Sequence, residues 1–180
     1  ITGATGILGA SFIEGVAEQG AKGVLIGRNT AVGLEREAQL LQAGHEALFI
    51  AADVLQRNEL EKAHAQILKK WGAIHGLVNA AGGNVKEAVI EPDADIFNID
   101  LEGLQKAFDL NLFGTILPVT IFGPSLVQSG RGSIVNISSM ASHTAITRVL
   151  GYSMAKAAID NYTRWMCVEA AKRFGEKLRI

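Results

Sequence analysis

The sequence predicts an α/β fold, a single domain whose parallel sheet is flanked by helices on both faces. Three observations carry that reading. Short β-rich runs alternate regularly with longer amphipathic stretches, and a parallel sheet with right-handed crossovers satisfies that alternation. The runs are apolar nearly throughout, as strands covered on both faces must be. A glycine-rich segment, Thr2-Gly3-Ala4-Thr5-Gly6-Ile7-Leu8-Gly9, stands where a strand should end and a helix begin.

The elements follow in order. A first helix is expected over 7–19 and a strand over 23–26. Helix 31–43 leads to strand Ala47–Ala51, and helix 58–71 to strand Gly76–Asn79. Glu59, Glu61, Lys62, Lys69 and Lys70 read as the solvated face of the third helix. Residues 82–100 form the longest irregular stretch. A long helical region covers Leu101–Gln128, with Pro118 and Pro124 inside it. An interior proline costs ~3 kcal/mol, so a kink or break is expected there. Strand 133–137 and helix 151–174 close the series, and Leu178-Arg179-Ile180 reads as a strand cut short.

Composition narrows the function classes. The chain has 180 residues, which suits one core, and 48% of it is apolar. Net charge is −1 with both signs interspersed, so neither a nucleic-acid stripe nor a charged tail is expected. One cysteine, Cys167, excludes a disulfide framework and a four-cysteine metal site. It fits a reducing, cytoplasmic setting. His45, His64 and His75 lack metal-ligand spacing, and a loop histidine such as His143 is more often simply exposed. No apolar run approaches the ~20 residues that span a bilayer, so no membrane partner is expected.

The glycine-rich segment carries binding chemistry. Glycines let the backbone turn tightly and approach a pyrophosphate, and the helix start offers free N–H groups at its positive dipole end. Gly3, Thr5, Gly6, Ile7 and Gly9 are the candidate contacts. The next strand ends at Gly27, where a ribose-reading residue belongs. With the alternating elements, this makes the expected fold a Rossmann-like doubly wound sheet. Asp53 follows the run at Ala47–Ala51, and its carboxylate is placed either to meet an adenine or to cap a turn.

A second constellation carries proton chemistry. Tyr152 and Lys156 in Tyr152-Ser153-Met154-Ala155-Lys156 share one face of a helix. A free phenol, with a pKa of ~10, is a poor base at neutral pH. An ammonium ~4 Å away at an effective dielectric of ~20 is worth about 4 kcal/mol, or roughly 3 pKa units. A bare Tyr/Lys pair also occurs on ordinary amphipathic helices, so partners decide its meaning. Ser138-Ser139 directly follows an apolar run, at the strand end where ligands of open α/β sheets bind. Ser139 lies 13 residues before Tyr152, so a loop can return it beside the phenol. Asn111 is a polar amide amid apolar residues, the pattern of a buried structural group.

Thr2–Gly9, Asp53-Val54, Asn79-Ala80-Ala81-Gly82, Asn111, Val135–Ser139 and Tyr152/Lys156 occur in an order and spacing that resembles the short-chain dehydrogenase/reductases. The resemblance covers essentially the whole chain. It implies that Tyr152 is the general acid/base and that Lys156 binds the nicotinamide ribose and lowers the phenol's pKa. It implies that Ser139 orients substrate and that Asn111 holds a water linking Lys156 to solvent. It places Arg28, Asp53, Val54, Asn79, Ala80, Ala81 and Gly82 against the cofactor. Three positions depart from the family pattern. Gly6 comes one place early, Ala80 replaces an asparagine, and His75 replaces an aspartate. The family's domain extends further at both ends, so a partial record of a larger protein is expected.

Gly27 followed by Arg28 leaves out the acidic residue that would repel a 2′-phosphate and supplies a guanidinium that could clamp one. This favours NADP(H), with NAD(H) the alternative. The stretches Gly82-Gly83-Asn84, 138–142 and 147–152 resemble the D-mannonate oxidoreductase group, which interconverts D-mannonate and D-fructuronate. The resemblance thus implies a sugar-acid substrate bound by Ser139, Asn84, Arg148 and Tyr152. Arg148 stands among apolar Ile146, Val149 and Leu150, and its planar fork would match a carboxylate. The alternatives are a 3-oxoacyl-carrier-protein or 5-ketogluconate reductase, and a dinucleotide sensor without catalysis. The resemblance also implies a homodimer or homotetramer paired through Leu101–Gln128 and 151–174, where Phe113, Ile121, Phe122, Trp165 and Met166 exceed what one buried face needs.

Overall fold

The computed structural model describes residues 1–180. Strands β1 (Gly23–Gly27) and β2 (Ala47–Ala51) pair in parallel, as do β3 (Gly76–Asn79), β4 (Gly132–Asn136) and β5 (Leu178–Arg179) in that spatial order. Residues 1–4 join the two halves. Thr2 bridges both Ile26 and Asn79 in parallel, and its amide donates to Val78 O at 2.9 Å. The strand expected before the glycine-rich turn is therefore present at its C-terminal end, wedged between β1 and β3. Chain connections diverge on either side of it, which makes this a topological switch point where ligands bind.

Helices cover both faces because successive strand residues point opposite ways. Leu25 and Phe49 pack with Ile13 of α1 (Ile7–Glu18) and Leu40 of α2 (Thr30–Gln42). Their neighbours Ile26 and Ile50 pack on the other face, with Leu60 and Ile67 of α3 (Arg57–Trp71) and with Phe122 and Leu126. A strand feeding two cores has no position for a polar residue, and this explains the unbroken apolar runs. Leucine, isoleucine and phenylalanine side chains buried this way contribute about 1.5–3 kcal/mol each.

The long helical region departs from expectation. It runs as α4 (Leu101–Phe108), a π-helical turn (Asp109–Phe113) and α5 (Gly114–Gln128). Helix α5 passes through both Pro118 and Pro124, so neither breaks it. The irregularity sits one turn earlier, at the π-helical turn Asp109–Phe113. By length and composition this helix could cross a membrane, yet half of its most apolar window is buried. Its Val119, Ile121, Phe122 and Leu126 belong to the core, so it is a core helix here. The last helix, α6, spans Leu150–Phe174. Residues 82–100 are irregular apart from a 3-10 turn at Lys86–Ala88, as expected.

Candidate active site

At the C-terminal ends of the strands lies a cleft of about 400 Å³. Gly3, Thr5, Gly6, Ile7 and Gly9 line one side, Arg28, Asp53 and Val54 another, and Ala80, Ala81 and Gly82 the third. Eleven of the twelve candidate cofactor contacts outside α6 thus converge on one wall-to-wall space. Asn79 is the exception. Its side chain is buried behind the cleft, donating to Asn136 Oδ1 at 2.9 Å, and Asn136 in turn donates to Thr163 Oγ1 at 2.9 Å. It braces strand ends instead of lining the cleft.

The cleft fits a dinucleotide by its own geometry. Gly6 begins α1 without a side-chain cap, and the amides of Ile7, Leu8 and Gly9 take no acceptor within the chain. These donors face a site where a pyrophosphate would satisfy them. A Cβ on Gly9 would stand 2.3 Å from Gly3 O, and one on Gly3 would stand 2.7 Å from Ala81 N. Both are backbone contacts that cannot yield, so the turn closes only on glycine. Thr2 Oγ1 accepts from the amides of Ala80 and Ala81 at 3.2 Å, which ties the third wall to the first. Ile7 is 88% exposed on the rim, an apolar side chain with no packing partner of its own.

Arg36 is a site residue that sequence reasoning missed. From α2 its guanidinium donates to Ala4 O and, at 2.9 Å, to Gly6 O, gripping the glycine-rich turn from behind. No motif announces it, because the contact joins residues 30 or more positions apart. Arg28 is 73% exposed and lies 3.8 Å from Asp53 Oδ2, while Asp53 Oδ1 accepts from Leu55 N at 2.9 Å. Asp53 thus both caps a local turn and faces Arg28 across the cleft.

Next to Gly82 of this cleft lie Lys156 and Asn111, two of the residues expected to handle the proton. Tyr152 sits in the first turn of α6, half-buried. Lys156 is 5% exposed, with Nζ 5.6 Å from the Tyr152 ring centre and donating to Ile137 O at 2.6 Å. Burial pushes its ammonium below the usual lysine range, and the Asp160 carboxylate opposes that shift. Ser139 follows β4 in extended backbone and opens the 3-10 turn Met140–Ser142, which packs on α6. Its Oγ accepts from Ala141 N at 3.2 Å, leaving the hydroxyl proton free to donate.

Asn111 lies in the π turn, fully buried. Its Oδ1 accepts from Gly83 N, and its Nδ2 donates to Gly83 O and Ala107 O, all at 2.9 Å. The amide is engaged with the 82–83 segment on both sides. Gly82 makes room for this: a Cβ there would stand 2.8 Å from Asn111 Oδ1 and 3.5 Å from Lys156 Nζ. Single π turns recur at functional sites because they turn one side chain out of helical register.

The expected substrate residues fare differently. Asn84 is exposed just past Gly83. Arg148 is not a lone guanidinium: Nη2 donates to Glu91 Oε2 at 2.8 Å and Nε to Ile90 O at 3.0 Å. Its fork already holds a carboxylate, supplied by the irregular 82–100 stretch. Arg148 is also the one non-glycine residue with positive φ, at 72°, a strained conformation costing about 1–3 kcal/mol. These bonds hold it there and tie the loop before Tyr152 to the 90–91 segment.

The family's sequence profile, described as short chain dehydrogenase, matches residues 1–174. The chain belongs to the short-chain dehydrogenase family. An uncharacterized oxidoreductase, UxuB, of Bacillus subtilis is 34% identical over 96% of this chain and 65% of its own length. The crystal structure of a provisionally assigned D-mannonate oxidoreductase from Haemophilus, with bound NAD, superposes with a TM-score of 0.88. It is 30% identical and aligns with 95% of this chain and 65% of that one. A 3-ketoacyl-ACP reductase from Sinorhizobium meliloti superposes with a TM-score of 0.87 at 26% identity, over 96% of this chain and 66% of that one. The chain spans about 65% of the length of the first relatives it matches.

Proposed function

We propose that this short-chain dehydrogenase interconverts a secondary alcohol and a ketone on a sugar acid, D-mannonate and D-fructuronate, with a nicotinamide dinucleotide. The observation that carries the chemistry is that Lys156 Nζ lies 5.6 Å from the Tyr152 ring centre and, with Asn111, borders Gly82 of a cleft shaped for that cofactor, while the turn after Ser139 packs on the same helix. The sugar-acid part rests on similarity to the provisionally assigned D-mannonate oxidoreductase from Haemophilus, since Arg148 is paired with Glu91.

In alcohol oxidation, Tyr152 takes the hydroxyl proton as the carbon–hydrogen bond breaks. Ser139 donates its free hydroxyl proton to the substrate oxygen and fixes its place. Lys156, held by Ile137 O, stands beside the phenol ring with its Nζ 5.6 Å from the ring centre. Asn111 fixes Gly83 and keeps the 82–83 segment against Lys156. The bound dinucleotide supplies the hydride acceptor. Reduction runs the same proton path in reverse.

Arg28 lines the cleft and no acidic residue ends β1, which supports NADP(H) as the favoured cofactor, with NAD(H) the alternative. The protein works as a cytoplasmic homo-oligomer in this reading. The experiment is turnover by the full-length protein on D-mannonate, D-gluconate, a 3-oxoacyl thioester and neutral polyols, followed by nicotinamide absorbance. D-mannonate should give the highest kcat/KM. A preference for the thioester would replace this substrate with the ketoacyl one, and no turnover on any of them would remove the enzyme reading.

A further inference from the structure

One helical turn beyond Lys156, α6 carries a carboxylate that the chemistry above does not use. Tyr152, Lys156 and Asp160 recur every four residues, so they form one stripe along the helix. The Asp160 side chain is 16% exposed, and its Oδ2 is buried without an aligned hydrogen bond. His143 Nε2 lies 3.2 Å from that oxygen. Ser138 Oγ is likewise buried with no aligned bond. These groups surround the turn that presents Ser139. Ser138 precedes it, Ser142 Oγ donates to Ser139 O at 2.7 Å, and His143 closes the turn with its amide on Met140 O at 3.0 Å.

We propose that Asp160 is a positioning residue, holding the Ser139 turn through His143 and placing its carboxylate one helical turn from Lys156. The inference rests on the Tyr152–Lys156 reading of the site. A carboxylate in this place must remain ionised to act. Burial raises the Asp160 pKa, but the hydroxyls of Ser138 and Ser142 and the charges of His143 and Arg164 outweigh it, so its carboxyl is held below the usual range. Lys156, lowered by burial, is raised by Asp160. The groups that bear on the pair are Ser138, Ser142 and His143 from the loop and Arg164 from α6 itself. His143, 72% exposed, thus pairs with a partly buried carboxylate on the helix stripe that carries Lys156.

The test is Asp160→Asn in the full-length protein, read in two ways. In the cofactor-free protein labelled at lysine Cε, the Lys156 carbon resonance should titrate at lower pH than in wild type. In turnover of D-mannonate with NAD⁺, kcat should fall about 10- to 100-fold, the scale of a misplaced reacting group. The alkaline limb of its pH profile should move to lower pH, and the KM for NAD⁺ should not change. His143→Gln, a surface change, should lower kcat and leave cofactor KM alone. A wild-type Lys156 titration in Asp160→Asn overturns the proposal. If that variant does not fold, His143→Gln decides, and wild-type kcat and pH profile there overturn it too. Should the protein not act on D-mannonate, the substrate assignment fails while the Lys156 titration still decides this point. Full activity in Tyr152→Phe would instead remove the reading beneath it.

Discussion

Asn111 shows how a single side chain can be legible in kind and not in role. An amide among apolar residues announces a buried polar group, and it is one. Its partners, Gly83 and Ala107, follow only from the fold. Removing the amide strands the Gly83 N–H and two carbonyls in the interior. Asn111→Leu should therefore destabilise the protein by about 1–3 kcal/mol, the cost of leaving buried groups unpaired, and lower turnover as well. Chemical denaturation of both proteins measures the first effect, and unchanged stability contradicts the account. Arg28 is read from one position and its consequence is equally local. Arg28→Ala should weaken NADP(H) far more than NAD(H) in equilibrium titrations, with equal losses refuting a phosphate role. Tyr152, Lys156 and Ser139 were legible because their relation is a short spacing. Arg36 and Asp160 were not, because each acts through residues brought near by the sheet and the loops. The Arg148–Glu91 pair was not legible either, because its carboxylate lies 57 residues away.

At the scale of elements, strands and helices were legible because two faces of a buried sheet impose unbroken apolar runs, and helices between them need one apolar stripe. The long helical region was not, because proline predicts a break from its missing N–H while packing decides whether one occurs. Pro118 is fully buried in α5, and the helix is kept whole by that packing. The glycine-rich turn yields the sharpest element-level prediction. Gly9→Ala must push Gly3 O and Ala4 Cα aside, since both stand within 2.6 Å of the new Cβ. Overpacking of that kind costs about 1–3 kcal/mol, which at the turn appears as a roughly 10-fold or greater rise in dinucleotide Kd. Calorimetric titration checks it, and wild-type affinity would show that the turn has slack. The loop between Ser139 and Tyr152 carries a second prediction. Arg148→Ala frees Glu91 and the 90–91 segment, so acidic and neutral substrates should lose kcat/KM alike. A loss confined to acidic substrates would support an anchoring role.

For the whole molecule, the sheet order places the cleft at its switch point, and Gly82 on the cleft borders Lys156 of α6, so one α/β domain brings the two expected sites together. Of the residues expected to pair subunits, Ile121 and Phe122 are spent in the core instead. Phe113 and Trp165 remain exposed, with Leu101, Met154 and Val168 on the same helices. An apolar surface of that kind marks an interface, and a dimer or tetramer is the expected species in light scattering at micromolar concentration. A monomer there contradicts that expectation without touching the active site. The central claim is that Tyr152 moves the proton while the rest of the site binds cofactor. The direct test is Tyr152→Phe, which deletes one hydroxyl and preserves the ring beside Lys156. Turnover should fall roughly 10²–10⁴-fold, the usual worth of general acid–base catalysis, with dinucleotide Kd unchanged. Near-normal turnover in that variant would contradict the account.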